Sequence, residues 1–421
     1  ETLLMQNFME ILSEGKGGKN LHLEHLEDEI INYGITGGRA AINFLRSLRN
    51  MLAGSSSSGV NMTVKWDGAP AIFAGIDPED GKFFVAKKGV FNADPKFYKT
   101  NQEIDAELKG QLNSKFKVAL AEIPKLGIKG VLQGDLMFTD DISKKDIDGI
   151  SYYTFQPNTL VYAIPVDSDL GKIVSKAKLG VVWHTTYEGG PTLQDMTAKF
   201  GVNISKLKNT SSIWMDDASY KDVSGKAKFT LSETQKVTKI LSDTGKTFQK
   251  IKSSELKKFL DVQNNTLTKG LVGASFKTYL NQYVKRGEKF NVSAVKKTPY
   301  SMYVKGYFDD KVIAKLKTDK AKKQKEQIRD EVVAQLLKQD SLILNLVEFM
   351  SSLVEAKQLI VTKLNSVKQL AKIFVRTKDG YKVSNEEGYV AVDRDGTTAV
   401  KLVDRMEFSY NNFTAAKAWD K

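Results

Sequence analysis

The spacing of apolar residues changes twice along the chain. In the first fifty residues it is helical. Phe8, Ile11 and Leu12 share one face, and Ala40, Ala41, Phe44, Leu45 and Leu48 another, with Gly37-Gly38 as a break. Gly54-Ser55-Ser56-Ser57-Ser58-Gly59 has the composition of a flexible connector. From residue 60 the pattern predicts short strands at 62–64, 71–74, 83–86, 130–138 and 159–166. Asp77-Pro78-Glu79-Asp80-Gly81 joins two of these as a hairpin-like turn, and a helix is expected around 104–123. Beyond about residue 190 the period is helical again, at 232–241, 254–262, 273–284, 311–337 and 341–371. Pro299 is the only proline between Pro191 and the last residue. Strand character returns at 388–392, 399–403 and 406–408.

Such a mixture of antiparallel strands and helices predicts an α+β fold. The changes in pattern divide the chain into a helical region at 1–53, a strand-rich core at 60–190, a mainly helical insertion at 191–375 and returning core strands at 376–421. No period-regular repeat is present.

Charge sharpens this division. The 421 residues carry 63 Lys+Arg against 50 Asp+Glu, a formal net of +13. Residues 221–372 alone hold 31 against 15, a net of +16, so the rest is slightly acidic at −3. A surplus confined to one block favours a polyanion such as nucleic acid. Within it Lys285-Arg286, Lys296-Lys297, Lys305 and the lysines of 315–325 are interleaved with Tyr279, Tyr283, Tyr300, Tyr303, Tyr307 and Phe308. Cations beside aromatics suit a phosphate backbone and unstacked bases. No apolar run is long enough to cross a bilayer, so no membrane partner is expected. The absence of cysteine excludes disulfides, thiolate zinc sites and cysteine nucleophiles, and it suits a reducing, cytoplasmic setting.

The sharpest candidate chemistry is Lys65-Trp66-Asp67-Gly68-Ala69-Pro70, directly after the 62–64 strand. A lysine at a strand end, followed by an Asp-Gly turn, can hold its amine toward a cleft. Burial or nearby cations would lower its pKa and make it nucleophilic. In order downstream follow Ala86-Lys87-Lys88-Gly89, Leu132-Gln133-Gly134-Asp135-Leu136-Met137-Phe138, Leu160-Val161-Tyr162-Ala163-Ile164, Glu387-Gly388-Tyr389-Val390 and Val400-Lys401-Leu402-Val403. Asp135 is a carboxylate among apolar strand residues and needs a partner.

In this order and strand context the chain resembles the covalent nucleotidyltransferase superfamily of ATP-dependent DNA ligases, RNA ligases and mRNA capping enzymes. More loosely it resembles proteins of large tailed phages, for which the setting would be the host cytoplasm. The resemblance covers roughly residues 60–166 and 385–410, about a third of the chain. It implies an adenylation-domain fold, an ATP substrate and a Mg²⁺ ion. By the same resemblance Lys65 forms the phosphoramidate with AMP, and Asp67 and Gly68 shape its turn. Lys87 lies near the ribose or phosphates, Asp135 at the ribose hydroxyls and Tyr162 against the base. Glu387 holds the metal and Lys401 contacts the α-phosphate. The activity expected is an ATP-dependent polynucleotide ligase, RNA ends slightly favoured over nicked DNA. The alternatives are an enzyme that only caps or charges an end, and a non-catalytic binding or structural protein on a decayed version of the fold.

The chain also departs from the family pattern. Thr63 and Pro70 stand where an acidic residue and an arginine are usual, and Asp135 where the family has glutamate. Only Lys401 of an alternating lysine pair is present, with Val403 next and Arg405 beyond. With 18 residues after Val403, no C-terminal OB domain is expected, and the basic block takes its place. Asp135 and Glu387 are 252 residues apart. Two other motifs are weaker. His22 and His25 lie one helical turn apart without an H-E-x-x-H arrangement, and Gly15-Lys16-Gly17-Gly18-Lys19 has the wrong spacing for a phosphate loop. His184 has no nucleophile elbow near it in sequence.

Overall fold

The computed structural model describes residues 25–54, 60–219, 228–267, 271–366, 371–377, 380–385, 387–393, 399–406 and 410. Phe8, Ile11, Leu12, His22, the 15–19 stretch, most of the 54–59 connector, Lys221 and most of the 406–408 segment lie outside them. The strands in chain order are β1 (Val60–Lys65), β2 (Ala71–Ile76), β3 (Phe83–Ala86), β4 (Phe97–Tyr98), β5 (Val131–Phe138), β6 (Ser143–Ile147), β7 (Ile150–Phe155) and β8 (Leu160–Pro165). They continue with β9 (Leu179–Glu188), β10 (Thr197–Phe200), β11 (Ile213–Asp216), β12 (Lys372–Thr377), β13 (Gly380–Val383), β14 (Gly388–Asp393) and β15 (Ala399–Leu402).

Among the described residues these strands form three sheets. The largest runs β10-β9-β5-β2-β3-β4, with β11 also paired to β9. A second runs β13-β12-β8-β7-β6, and a third is β1-β14-β15. Every pairing is antiparallel except β11 on β9. Mixed helices and antiparallel sheets are the α+β architecture expected from the pattern. The Asp77 turn forms as read: Gly81 takes the left-handed φ of 70° that glycine adopts freely, and its N–H donates to the Asp77 carbonyl at 2.8 Å.

Four hydrophobic cores explain how the sheets stack. Phe116, Ala119 and Ile123 of the 110–126 helical segment pack on one face of the large sheet with Ile72, Leu132 and Trp183. Phe73, Phe84, Phe91 and Tyr187 fill the other side of the same sheet. Phe138, Phe155, Tyr162, Ile164, Trp214 and Ile373 join the large sheet to the five-stranded one. The largest core is helical. It unites helix Glu29–Leu52 with helices Leu231–Gln249, Ser253–Val262, Phe276–Lys285 and Asp340–Leu364, and it is closed by Tyr389, Ala391, Val400 and Leu402 of the three-stranded sheet. Side-chain caps start two of these helices, Ser275 at Phe276–Lys285 and Thr230 at Leu231–Gln249. The Thr230 hydroxyl accepts from Glu233 N–H while Glu233 accepts from Thr230 N–H, a reciprocal cap contributing about 1 kcal/mol.

This packing corrects the domain division. The N-terminal helix is not a separate region, because it shares its core with the helices after residue 228. The helical block is also narrower than 191–375: β10 and β11 belong to the large sheet, and β12 pairs with β8. Nor does the N-terminal helix break at Gly37-Gly38. The non-helical residue is Gly34 at φ 63°, and both later glycines lie inside the helix. A Cβ on Gly37 would sit 2.1 Å from the Glu29 carbonyl oxygen, and one on Gly38 2.8 Å from the Phe248 ring. Close packing, not a turn, requires them. No helix among the described residues is long and apolar enough to cross a membrane.

Candidate functional site

The three-stranded sheet decides where the lysines point. Thr63 is level with Val390, and Val390 with Lys401, while Lys65 pairs with Gly388. Side chains alternate along a strand, so Thr63, Lys65 and Lys401 share one face. Met62, Val64, Tyr389, Ala391 and Leu402 occupy the other and pack against the helical core. Burial of one face therefore presents both lysines on the opposite one.

Immediately after β1 the chain is fixed against β5. Trp66 is buried, stacking on Tyr162 at 5.1 Å and meeting Trp214 edge-on at 5.8 Å. The Asp67 carboxylate is 3% exposed and accepts from Asn158 Nδ2 at 2.6 Å and from the Thr159 and Leu160 N–H groups at 2.7 Å each. Three donors on one buried carboxylate make Asp67 the clamp between this turn and β8. Gly68 permits the closest approach: a Cβ there would lie 2.3 Å from Asp135 Cβ and 3.0 Å from Met137 Sδ. Ala69 N–H donates to the Leu136 carbonyl at 3.0 Å, and Leu136 N–H returns to Pro70 at 3.1 Å. Lys65 and Asp135 are thereby brought to one place.

Around the Lys65 ammonium stand Glu387, Asp135, Asp67 and His184. Glu387, nearly buried just before β14, forms a direct ion pair with it. Burial pulls the Lys65 pKa down, but Glu387, then Asp135 and Asp67, more than offset that and hold it above the ordinary lysine value. The expected lowered pKa is therefore corrected, because carboxylates rather than cations surround the amine. Burial pushes the Asp135 carboxyl up to about 7, aided by Glu387 and Asp67 and opposed by Lys65 and Lys88. Asp67 rises to about 6, chiefly through burial and the Glu387 charge. His184 falls to about 4 through burial and the Lys65 charge, so its imidazole is neutral at pH 7.

Two sequence expectations, for Tyr162 and for the aromatics of the basic block, are revised here. Tyr162 is wholly buried, its ring flanked by Trp66 and by Phe155 at 5.6 Å, and its hydroxyl accepts from Asp67 N–H at 2.7 Å. It is a core residue supporting the turn, not a platform for a base. Lys88, the neighbour of Lys87, is a lysine whose charge reaches Asp135. Arg405, just after β15, pairs with carboxylates that precede the N-terminal helix. It is buried, with its guanidinium donating to Asp28 at 3.0 Å and to Asn281 at 2.6 Å, beside Lys357 paired to Glu27 at 2.5 Å. In the basic block Tyr279, Tyr283, Tyr300 and Phe308 are buried, and the Tyr279 and Tyr300 hydroxyls donate to the Thr298 and Ala274 carbonyls at 2.6 and 2.8 Å. Lys285, Lys296, Lys297 and Lys305 are exposed, but four of the six interleaved aromatics are core and Tyr303 and Tyr307 are partly buried against it.

His184 is the residue that sequence reasoning missed. Gln133 pairs with Thr185 and Gly134 with Trp183, so His184 is the extra residue of a β-bulge in β9. Bulges re-aim side chains, and this one sets His184 Nε2 3.8 Å from Asp135 Oδ2. No motif announces it; a bulge follows from pairing register, which only the assembled sheet fixes. Among the described residues no group of three or more His, Asp or Glu is arranged to hold a metal ion unaided. Asp67 is taken up by its three donors, which leaves Glu387 and Asp135 as the carboxylates able to face one.

Fold and site together define an α+β protein with a lysine–carboxylate cluster where a three-stranded sheet meets a larger antiparallel one. The chain belongs to a family of unknown function (DUF6267), whose model matches residues 20–417. No curated protein and no solved structure matches it.

Proposed function

We propose that this chain is an ATP-dependent polynucleotide ligase working through Lys65. The observation that carries the reading is that Lys65 stands among Glu387, Asp135 and Asp67 and shares one face of the three-stranded sheet with Lys401, 336 residues further along the chain. Lys65, deprotonated, attacks the α-phosphorus of ATP. A P–N bond forms, the bond to pyrophosphate breaks, and the ammonium's proton passes to a neighbouring carboxylate or to water. Lys401, on the same face, stabilises charge on the α-phosphate oxygens. Glu387, exchanging Lys65 for a divalent ion, would hold Mg²⁺ with its remaining ligands from water and phosphate, as that ion prefers. The ion would neutralise the leaving pyrophosphate. AMP then moves from Lys65 to a 5′-phosphate, and a 3′-hydroxyl displaces it to seal the ends. The lysine surface of the helical block would bind the acceptor strand by its phosphates.

The Lys65–Glu387 ion pair favours a second reading, a nucleic-acid-binding protein on a decayed catalytic fold, because it ties up the nucleophile. Labelled 5′-phosphorylated RNA and nicked DNA, incubated with Mg²⁺ and ATP, separate the two. Sealing that Lys65→Ala abolishes supports the ligase, with RNA the better acceptor. AMP transfer to the end without sealing restricts the activity to charging. Strand binding with neither reaction would favour the decayed fold.

A further inference from the structure

His184 belongs to none of the motifs that led to the site, yet the β9 bulge turns it toward Asp135 and within reach of the Lys65 charge. The two side chains are partly open to solvent, Asp135 at 22% and His184 at 31% exposed. His184 Nδ1 lies 2.9 Å from the Thr185 hydroxyl, which can donate to it and so leave the proton on Nε2. That Nε2–H faces Asp135 Oδ2 across 3.8 Å, too far for a direct hydrogen bond. A hydroxyl oxygen placed about 2.8 Å from each atom closes the gap, accepting from the imidazole and donating to the carboxylate. The second Asp135 oxygen is then free to accept from a neighbouring hydroxyl. A donor and an acceptor set one hydroxyl apart, beside a candidate nucleophile for an α-phosphate, match a vicinal diol.

We infer that His184 is the specificity-determining residue for the sugar, reading one ribose hydroxyl jointly with Asp135 and making the site selective for ribonucleotides over deoxyribonucleotides. The inference rests on the nucleotidyl-transfer reading and adds to it a residue and a substrate class. An analogue lacking the hydroxyl leaves the imidazole N–H and the carboxylate oxygen without their shared partner, which costs more than a missing apolar contact.

The test measures the efficiency of covalent adduct formation from ATP, 2′-deoxy-ATP and 3′-deoxy-ATP, with Mg²⁺, for wild type, His184→Ala and His184→Gln. Wild type should prefer ATP over at least one analogue by about tenfold to a hundredfold, the range of one hydrogen bond to a charged group. His184→Ala should lower the efficiency with ATP and bring that preference to within about threefold. His184→Gln, whose amide can donate from a similar distance, should recover part of it. Melting temperatures show which variants are folded, and the wild-type comparison stands if His184→Ala is not. A preference unchanged in His184→Ala, or equal use of ATP and both analogues by wild type, overturns the role of His184 alone. No adduct from any nucleotide, GTP included, overturns it together with the reading beneath it.

Discussion

Replacing Asp135 by asparagine should stabilise the protein at alkaline pH. Its carboxyl is ordinarily neutralised near pH 3.8 but here near 7, mainly because burial opposes its charge. Between those values the folded chain binds a proton that the unfolded chain has released, so stability falls as pH rises through the window and levels off above 7. At about 1.4 kcal/mol per pH unit, Asp135 costs about 4 kcal/mol at pH 8, where it is ionised, and about 1.5 kcal/mol at pH 5, where the fold holds it protonated. Partial solvent access screens the group, so a gain of about 2–4 kcal/mol for Asp135→Asn at pH 8 is expected. For a chain of 421 residues that is a rise in melting temperature of roughly 2–5 °C, shrinking at pH 5. Asp67→Asn serves as the contrast. Its carboxylate accepts three hydrogen bonds that an amide cannot all accept, so this variant should lose stability. Calorimetric melting of wild type and both variants at pH 5, 6.5 and 8 checks the argument. An Asp135→Asn variant that melts no higher than wild type at pH 8, or gains equally at pH 5 and 8, would refute it.

Three further outcomes follow from the geometry. Gly68→Ala should destabilise by about 1–3 kcal/mol in denaturant titration and displace Asp135, because the new methyl falls 2.3 Å from Asp135 Cβ. In Glu387→Gln the main influence raising the Lys65 pKa is gone and burial prevails, so amine-selective labelling of Lys65 should reach its midpoint at lower pH; an unmoved midpoint contradicts the ion pair. Arg405→Met should cost about 3–5 kcal/mol, since it leaves buried Glu27 and Asp28 short of one cation, and thermal melting reads the loss.

The sequence was most legible where one periodicity ran undisturbed. Strand 83–86 and helix 253–262 fall within a residue of their expected bounds, and the Asp77 turn forms as its residues dictate. Strands β4, β6, β7 and β9–β13 went unread. Edge strand β6 is polar along most of its length, β10 alternates only weakly, and β11 and β12 adjoin segments whose composition signals something else. Site residues were legible as a motif order, which says who is present but not who faces whom. Tyr162 shows the difference: an aromatic in an apolar strand fits a base platform and a core residue equally, and burial under Trp66 decides for the core. His184 shows the converse, a placement beside Asp135 produced by a one-residue bulge. Charge counting located the basic block but not the direction of its tyrosines, because helical spacing alone does not say which face packs inward.

The claim at the centre of this account is that Lys65 is a nucleophile. Folded protein, first freed of any bound nucleotide with pyrophosphate, is incubated with Mg²⁺ and ATP, digested and mapped by tandem mass spectrometry. The account predicts one AMP attached to Lys65 through an acid-labile bond, absent from Lys65→Ala and strongly reduced in Lys401→Ala. Unmodified Lys65 after incubation with ATP or GTP, in protein shown to be folded, would contradict it.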